Sequence, residues 1–476
     1  MTWPTVSRRL LAALVVLLIG ALYLANLTGM GMYGPDEPRY ADIGRTMAAT
    51  GDLVTPRLWG QPWFEKPALL YWMTAAGFRS GLGADLAPRL PVAILSLLFL
   101  TFFWQRLRME WGQPVATYAS LMLATSGGWL AYSHVAVTDV PMAVFFTCAW
   151  LLALPWIGAR EQTDLTAAAG SLGLAVLAKG LVPLVLFIPV LLMPLFTGNR
   201  TGFRAWAKPR PVVAFLVVVL PWYTLCTIRN GAGFLRVFFV QQQFGRLTSS
   251  ALQHVQPWWF YIPALFVLLF PWSPLLFSLP MGFRRTDGID PRIRTLTAIV
   301  IWGFLFFSIA VNKLYGYLIP LLPAVVTWVA IALVRMKHPA RALVTTVGLA
   351  ALLPLAPRVT ARALAFHKLT PMDIPWTAAV AVVVSSAAIA LLIARYKPGW
   401  IFCTAAAVSI AGFLWFQFAA FPAFDRFASA RPLWRSEHPA CAPNASRELL
   451  YGLYYYAGHE LPACPVLDPG GTRGVP

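Results

Sequence analysis

Thirteen stretches of this chain are each apolar over close to the length one helix needs to cross a bilayer, and short polar connections separate them. They lie near residues 8–28, 89–107, 114–134, 140–158, 165–178, 180–197, 211–229, 257–280, 295–311, 316–334, 341–357, 375–394 and 399–420. Backbone groups in lipid have no water to bond, so runs of this length are expected to be helices that satisfy themselves. The expected fold class is an all-α polytopic membrane protein with about 13 transmembrane helices. Composition agrees: 12% of the residues are charged, about half the share typical of soluble domains.

The basic residues set the orientation. Arg8 and Arg9, Arg106 and Arg108, Arg160, then Arg200, Arg204, Lys208 and Arg210 fall in alternate connections. Arg284, Arg285, Arg292 and Arg294, then Arg335, Lys337 and Arg341, then Arg395 and Lys397 continue the same set. The positive-inside rule assigns that side to the cytoplasm. An odd number of crossings then makes the N-terminus cytoplasmic and the C-terminus external, which in a bacterium means an inner-membrane protein with a periplasmic tail. The expected division is a membrane domain over 1–420, which includes an external loop at 29–88, and a small external C-terminal segment over 421–476. The first run is too long for a signal-peptide core and lacks a small-residue cleavage site, so it is read as an uncleaved helix. The net charge of +19 is absorbed by these connections facing lipid headgroups, and no nucleic-acid binding is expected.

Five cysteines form no CxxC pair and no metal spacing. Cys148, Cys226 and Cys403 sit inside apolar runs, which leaves Cys441 and Cys464 as the pair able to join in an oxidising compartment.

Acidic residues are scarce and gather on the external side: Asp36, Glu37, Asp42, Asp52, Glu65 and Asp85 in the first loop, and Asp139 between the third and fourth spans. A carboxylate at membrane depth is costly, so the chain keeps it at the interface or uses it. Asp36-Glu37-Pro38 and Asp139-Val140-Pro141 each place Asp two residues before Pro at a helix start. The plain alternative is that both are N-caps. After Asp36, Tyr40, Ile43 and Met47 recur on one helical face up to Gly51, which predicts an amphipathic helix lying along the membrane surface. External cations are Lys66, Lys179, Arg246 and Lys313, each of which, taken singly, is more simply a snorkelling anchor. Together, edge carboxylates, cations and headgroup-level aromatics such as Trp63 and Trp72 suit a lipid-tailed donor with an anionic phosphate.

Gly34-Pro35-Asp36-Glu37-Pro38-Arg39-Tyr40, Gly51-Asp52-Leu53-Val54-Thr55-Pro56-Arg57 and Phe64-Glu65-Lys66-Pro67 running on to Trp72 resemble the first external loop of the aminoarabinose lipid A transferases. Thr138-Asp139, Ala178-Lys179-Gly180 and the Lys313 to Pro320 stretch extend the likeness to that broader family of polyprenyl-phosphate-dependent glycosyltransferases, related to the protein O-mannosyltransferases. The resemblance implies the GT-C glycosyltransferase fold, and transfer of a sugar, with 4-amino-4-deoxy-L-arabinose one option, from undecaprenyl phosphate to lipid A or another envelope acceptor. It implies that Asp36 and Asp139 are catalytic, that Lys66 and Arg246 bind the donor phosphate, and that Tyr40, Glu65, and Tyr315 or Tyr317 line the cavity. Glu37, Lys179 and Lys313 join them as candidate cavity residues. No cofactor is fixed; a divalent metal held by Asp36 and Glu65 stays open. Gln241-Gln242-Gln243 stands where relatives carry a histidine ligand before the arginine. A protein acceptor is the first alternative. A secondary transporter or lipid flippase is the second, against which stand the lack of an internal repeat and the gathering of polar residues at one surface.

Overall fold

The structure, a computed structural model, describes residues 5–158, 164–196, 202–244, 255–282, 290–366 and 374–465. Its helices are, in order, α1 (Thr5–Leu24), α2 (Asp36–Thr50), α3 (Leu69–Arg79), α4 (Arg89–Trp111), α5 (Gln113–Ala124), α6 (Gly127–Ser133) and α7 (Asp139–Ile157). Next come α8 (Thr166–Lys179), α9 (Val182–Phe196), α10 (Pro209–Leu235), α11 (Tyr261–Leu269), α12 (Leu279–Gly282), α13 (Pro291–Ile309) and α14 (Leu322–Arg335). The last are α15 (Pro339–Ala350), α16 (Ala356–Phe366), α17 (Trp376–Tyr396), α18 (Ile401–Ala428), α19 (Arg431–Glu437) and α20 (Arg447–Ala457).

Among the described residues, eight helices are long and apolar enough to cross a membrane, and each overlaps one of the thirteen expected runs. Four further runs coincide with shorter apolar helices. The run at 114–134 is not one helix. It breaks between α5 and α6, where the hydroxyls of Thr125 and Ser126 turn back onto the carbonyls of Leu121 and Met122. The run at 257–280 is likewise interrupted around Pro271 and Pro274, which have no N–H to continue the ladder.

Burial in protein sorts helices that hydropathy treats alike. The apolar window of α7 is 78% buried and that of α17 only 6%, so α7 runs through the centre and α17 lies at the periphery. Trp129, Trp150, Phe99, Phe103, Phe146 and Phe187 fill the core around α7.

The first loop folds onto this bundle. Tyr40, Ile43 and Met47 are buried as expected, and α2 ends at Gly51, whose φ of 75° and N–H to the Met47 carbonyl close it. The helix does not lie with its charges in solvent, however: Glu37, Arg39 and Asp42 are buried too, each in an ion pair. Gly44 permits the close crossing of α2 on α3, since a Cβ there would sit 2.3 Å from the Thr74 side chain. Strands β1 (Arg57–Leu58) and β2 (Gln61–Pro62) form a small hairpin turning at Trp59 and Gly60, both at positive φ. Trp59 is an unfavourable residue for that conformation, and its ring is held between Tyr451 and Tyr454 of α20.

The C-terminal segment is thus built into the first loop. Helix α18 runs on to residue 428, past the expected boundary at 420. Tyr455 donates to the carbonyl of Ala84 at 2.7 Å, and Tyr456 donates to Asp85 at 2.7 Å. Arg431 pairs with Asp85 and Asp425, both at 2.9 Å. A Cys441–Cys464 disulfide closes the loop that carries α20.

Candidate active site

Glu37 and Arg89 fix the frame of the site. Both side chains are fully buried, and the Arg89 guanidinium meets the Glu37 carboxylate through Nε and Nη2, each at 2.7 Å. The remaining guanidinium hydrogens go to the carbonyls of Leu27, Met30 and Gly31. Glu37 in turn accepts the backbone N–H groups of Tyr33 at 2.8 Å and Ala136 at 2.9 Å. One saturated pair therefore ties the start of the first loop to α4 and to the turn that leads into Asp139.

Asp36 stands one residue before this anchor, at the first turn of α2, with 41% of its side chain exposed. It makes no N-cap bond; its partner is Arg39, one helical turn on. Arg39 also pairs with Glu65 at 2.9 Å, and Glu65 accepts from Lys66 at 3.0 Å and from the Tyr40 hydroxyl at 3.4 Å. The group is charge-balanced, two carboxylates against two cations. Burial first, and the carboxylates of Asp36 and Glu65 second, push the Tyr40 phenol well above its usual range, so it stays a neutral donor.

Asp139 opens α7 in the same manner. Its carboxylate takes the Lys179 ammonium, from the last turn of α8, at 2.6 Å, and no N-cap bond forms. Lys179 lies 5.1 Å from the centre of the Tyr317 ring. Gly316 leaves room for the pair, since a Cβ there would come within 2.6 Å of the Asp139 Oδ1. The N-cap reading of both aspartates is thereby corrected: each meets a cation from its own next turn or from another helix, and neither bonds the helix's free amides.

Asp36, Glu37, Tyr40, Lys66, Asp139, Lys179, Tyr315 and Tyr317 all line one cavity of about 590 Å³, the size of a small-molecule site. Phe413, Phe416, Phe421 and Phe424 of α18 give it an apolar wall. Glu65 stands behind this surface and holds Arg39 and Lys66. Lys313 does not line the cavity as expected: its ammonium donates to the carbonyls of Ala310 and of Gln256 at 3.0 Å. Arg246 lies outside the described residues. The described residues do not suit the metal considered for Asp36 and Glu65, because the guanidinium of Arg39 bonds both carboxylates. No group of three or more His, Cys, Asp or Glu side chains converges among the described residues.

Sequence reasoning passed over Arg39, Arg89, Arg447 and Glu448. Arg39 stood in the quoted motif and could have been paired with Asp36 by its helical spacing. Arg89 lies 52 residues from Glu37, and the other two reach the cavity from α20, so no local pattern marks them.

Residues 6–231 match the dolichyl-phosphate-mannose-protein mannosyltransferase family. Among curated proteins, the chain is 32% identical over 330 residues to the undecaprenyl phosphate-alpha-4-amino-4-deoxy-L-arabinose arabinosyl transferase of Pseudomonas aeruginosa, covering 66% of this chain and 58% of that one. It is 29% identical to the transferase of the same name from Edwardsiella ictaluri, covering 63% of this chain and 55% of that one. The chain thus spans less than two thirds of the length of these relatives. Among solved structures, ArnT from Cupriavidus metallidurans bound to undecaprenyl phosphate superposes with a TM-score of 0.77 at 26% identity, covering 96% of this chain and 86% of that one. The archaeal oligosaccharyltransferase AglB from Archaeoglobus fulgidus, 14% identical with a TM-score of 0.52 over 95% of this chain and 64% of its own, shares the fold. In sequence this chain is similar to the aminoarabinose transferases, and its backbone has the GT-C glycosyltransferase fold.

Proposed function

We propose that this chain is a glycosyltransferase that moves 4-amino-4-deoxy-L-arabinose from undecaprenyl phosphate to lipid A or another envelope acceptor at the external face of the bacterial inner membrane. The observation that carries this reading is the convergence of Asp36, Asp139, Lys66 and Lys179 on one cavity with an apolar wall. A polyprenyl phosphate needs that combination: cations for its head and apolar surface leading toward its tail.

In the proposed reaction an acceptor oxygen attacks C1 of the sugar, and the bond from C1 to the donor phosphate oxygen breaks. Its electron pair stays on oxygen, so undecaprenyl phosphate leaves with one more negative charge. Lys66 and Lys179, already oriented by Glu65 and Asp139, stabilise that growing charge more than the ground state. Arg246 is proposed to join them at the phosphate. A phosphate oxyanion as acceptor needs no base; a hydroxyl acceptor passes its proton to Asp36, the more exposed of the two aspartates.

Thirteen crossings, a cytoplasmic N-terminus and a periplasmic C-terminus complete the proposal. The alternation of basic connections supports it, and so does the Cys441–Cys464 disulfide, since such bonds persist in oxidising compartments. A protein acceptor is a second reading, favoured by the match of residues 6–231 to the mannosyltransferase family. Mass spectrometry of lipid A, membrane glycolipids and envelope proteins from cells with and without the gene separates these. Gene-dependent addition of the amino sugar to a lipid is the expected result. Unchanged lipids with gene-dependent protein glycosylation establish the second reading, and no change in either overturns both.

A further inference from the structure

Among the described residues, four acidic residues border the cavity: Asp36, Glu37, Asp139 and Glu448. Three of them already hold a cation, Arg39, Arg89 and Lys179 respectively. Glu448 is exposed, and no ion pair or hydrogen bond engages its carboxylate among the described residues. Its neighbour Arg447 also reaches the cavity, but that guanidinium lies 5.8 Å from the centre of the Tyr451 ring. The charge of Glu448 is felt across the cavity wall: burial first, and Glu448 second, raise the phenol of Tyr33. Its helix is rigidly held, by Trp59 between Tyr451 and Tyr454, by the Tyr455 and Tyr456 hydroxyls, and by the nearby disulfide. The position also lies outside residues 6–231, the part matched by a family whose description names mannose, a neutral sugar.

We infer that Glu448 is a specificity-determining residue that receives the protonated amine of the donor sugar, selecting an amino sugar over its neutral counterpart. This rests on the proposed transfer of an amino sugar. An ammonium near neutral pH offers three donors, and the Glu448 carboxylate on its fixed helix is, among the described residues that line the cavity, the one acid free to accept them. The plain alternative is that Glu448 only complements the N-terminus of α20, where an acid is favourable in any protein.

The test compares two donors in the full-length protein in proteoliposomes: the undecaprenyl-phosphate amino sugar and the same compound with its amine acylated. Wild-type protein should prefer the free amine. Glu448→Gln should erase about ten- to hundredfold of that preference, the range of one charge-assisted hydrogen bond, by lowering kcat/KM for the amine donor alone. Glu448→Asp should restore part of it. Equal losses on both donors, or an unchanged ratio, would overturn the inference in favour of a helix-end role. Wild-type protein that transfers neither sugar would instead overturn the function on which the inference rests. An unaltered melting temperature of the variant serves as the folding control.

Discussion

Adjacent carboxylates at positions 36 and 37 should respond to the same substitution in opposite ways. The Glu37 carboxylate accepts four hydrogen bonds, from Arg89 Nε and Nη2 and from the amides of Tyr33 and Ala136, at 2.7 to 2.9 Å. Glu37→Gln keeps the shape but turns one oxygen into a donor. Either orientation of the amide then sets its NH2 against one Arg89 hydrogen and one backbone N–H. Two contacts become repulsive, and Arg89, with no exposed surface, retains its charge without a counter-ion. Removing one partner of a buried pair costs about 3–5 kcal/mol. Asp36→Asn alters a pair whose acid is 41% exposed, where the cost is about 0–1 kcal/mol. Thermal unfolding in detergent, with sugar transfer measured in parallel, should show Glu37→Gln melting well below wild type. Asp36→Asn should melt with the wild type and have lost transfer. A Glu37→Gln protein that melts normally and fails only in catalysis would show that Glu37 acts on substrate and does not anchor the loop.

Three further outcomes follow from the geometry. Gly316→Ala places a methyl 2.6 Å from the Asp139 Oδ1 and against the Tyr132 ring, and turnover should fall about a hundredfold; wild-type turnover would mean that the Asp139–Lys179 geometry is unimportant. Cys441→Ser should loosen the segment carrying α20 by about 2–4 kcal/mol, seen as faster proteolysis after residue 428, while unchanged cleavage would count against its docking through the disulfide loop. Lys313→Met should lower stability and leave the KM for donor unchanged, because the ammonium caps backbone carbonyls away from the cavity; a raised KM would return Lys313 to the substrate.

Much of this was legible in the chain itself, for identifiable reasons. Hydropathy marks a bilayer crossing because the solvent is apolar, and the strongest runs are single helices. It does not register where the hydrogen-bond ladder is cut, so the breaks at Thr125 and Ser126 and around Pro271 were invisible in the count. The start of a helix at Asp139 was readable from Pro141, whereas the function of that start depends on Lys179, 40 residues away on α8. The stripe of Tyr40, Ile43 and Met47 gave the buried face of α2, but the same pattern suggested that its charges were solvated. They are buried because Arg89, Glu65 and Arg45 meet them, and only the second of these had been considered near the site. The C-terminal segment was the least readable part. Its contacts with the first loop are with residues more than 340 positions earlier, and a short polar stretch carries no sign of what it will cover.

The most direct test is transfer by the purified full-length chain in proteoliposomes supplied with the undecaprenyl-phosphate amino sugar and lipid A. Mass spectrometry should find lipid A carrying the sugar and a matching amount of released undecaprenyl phosphate, with neither product formed by folded Asp36→Asn or Asp139→Asn protein. Absence of transfer by the wild type, or transfer at the wild-type rate by either variant, would contradict a sugar-transferring site built on these two aspartates.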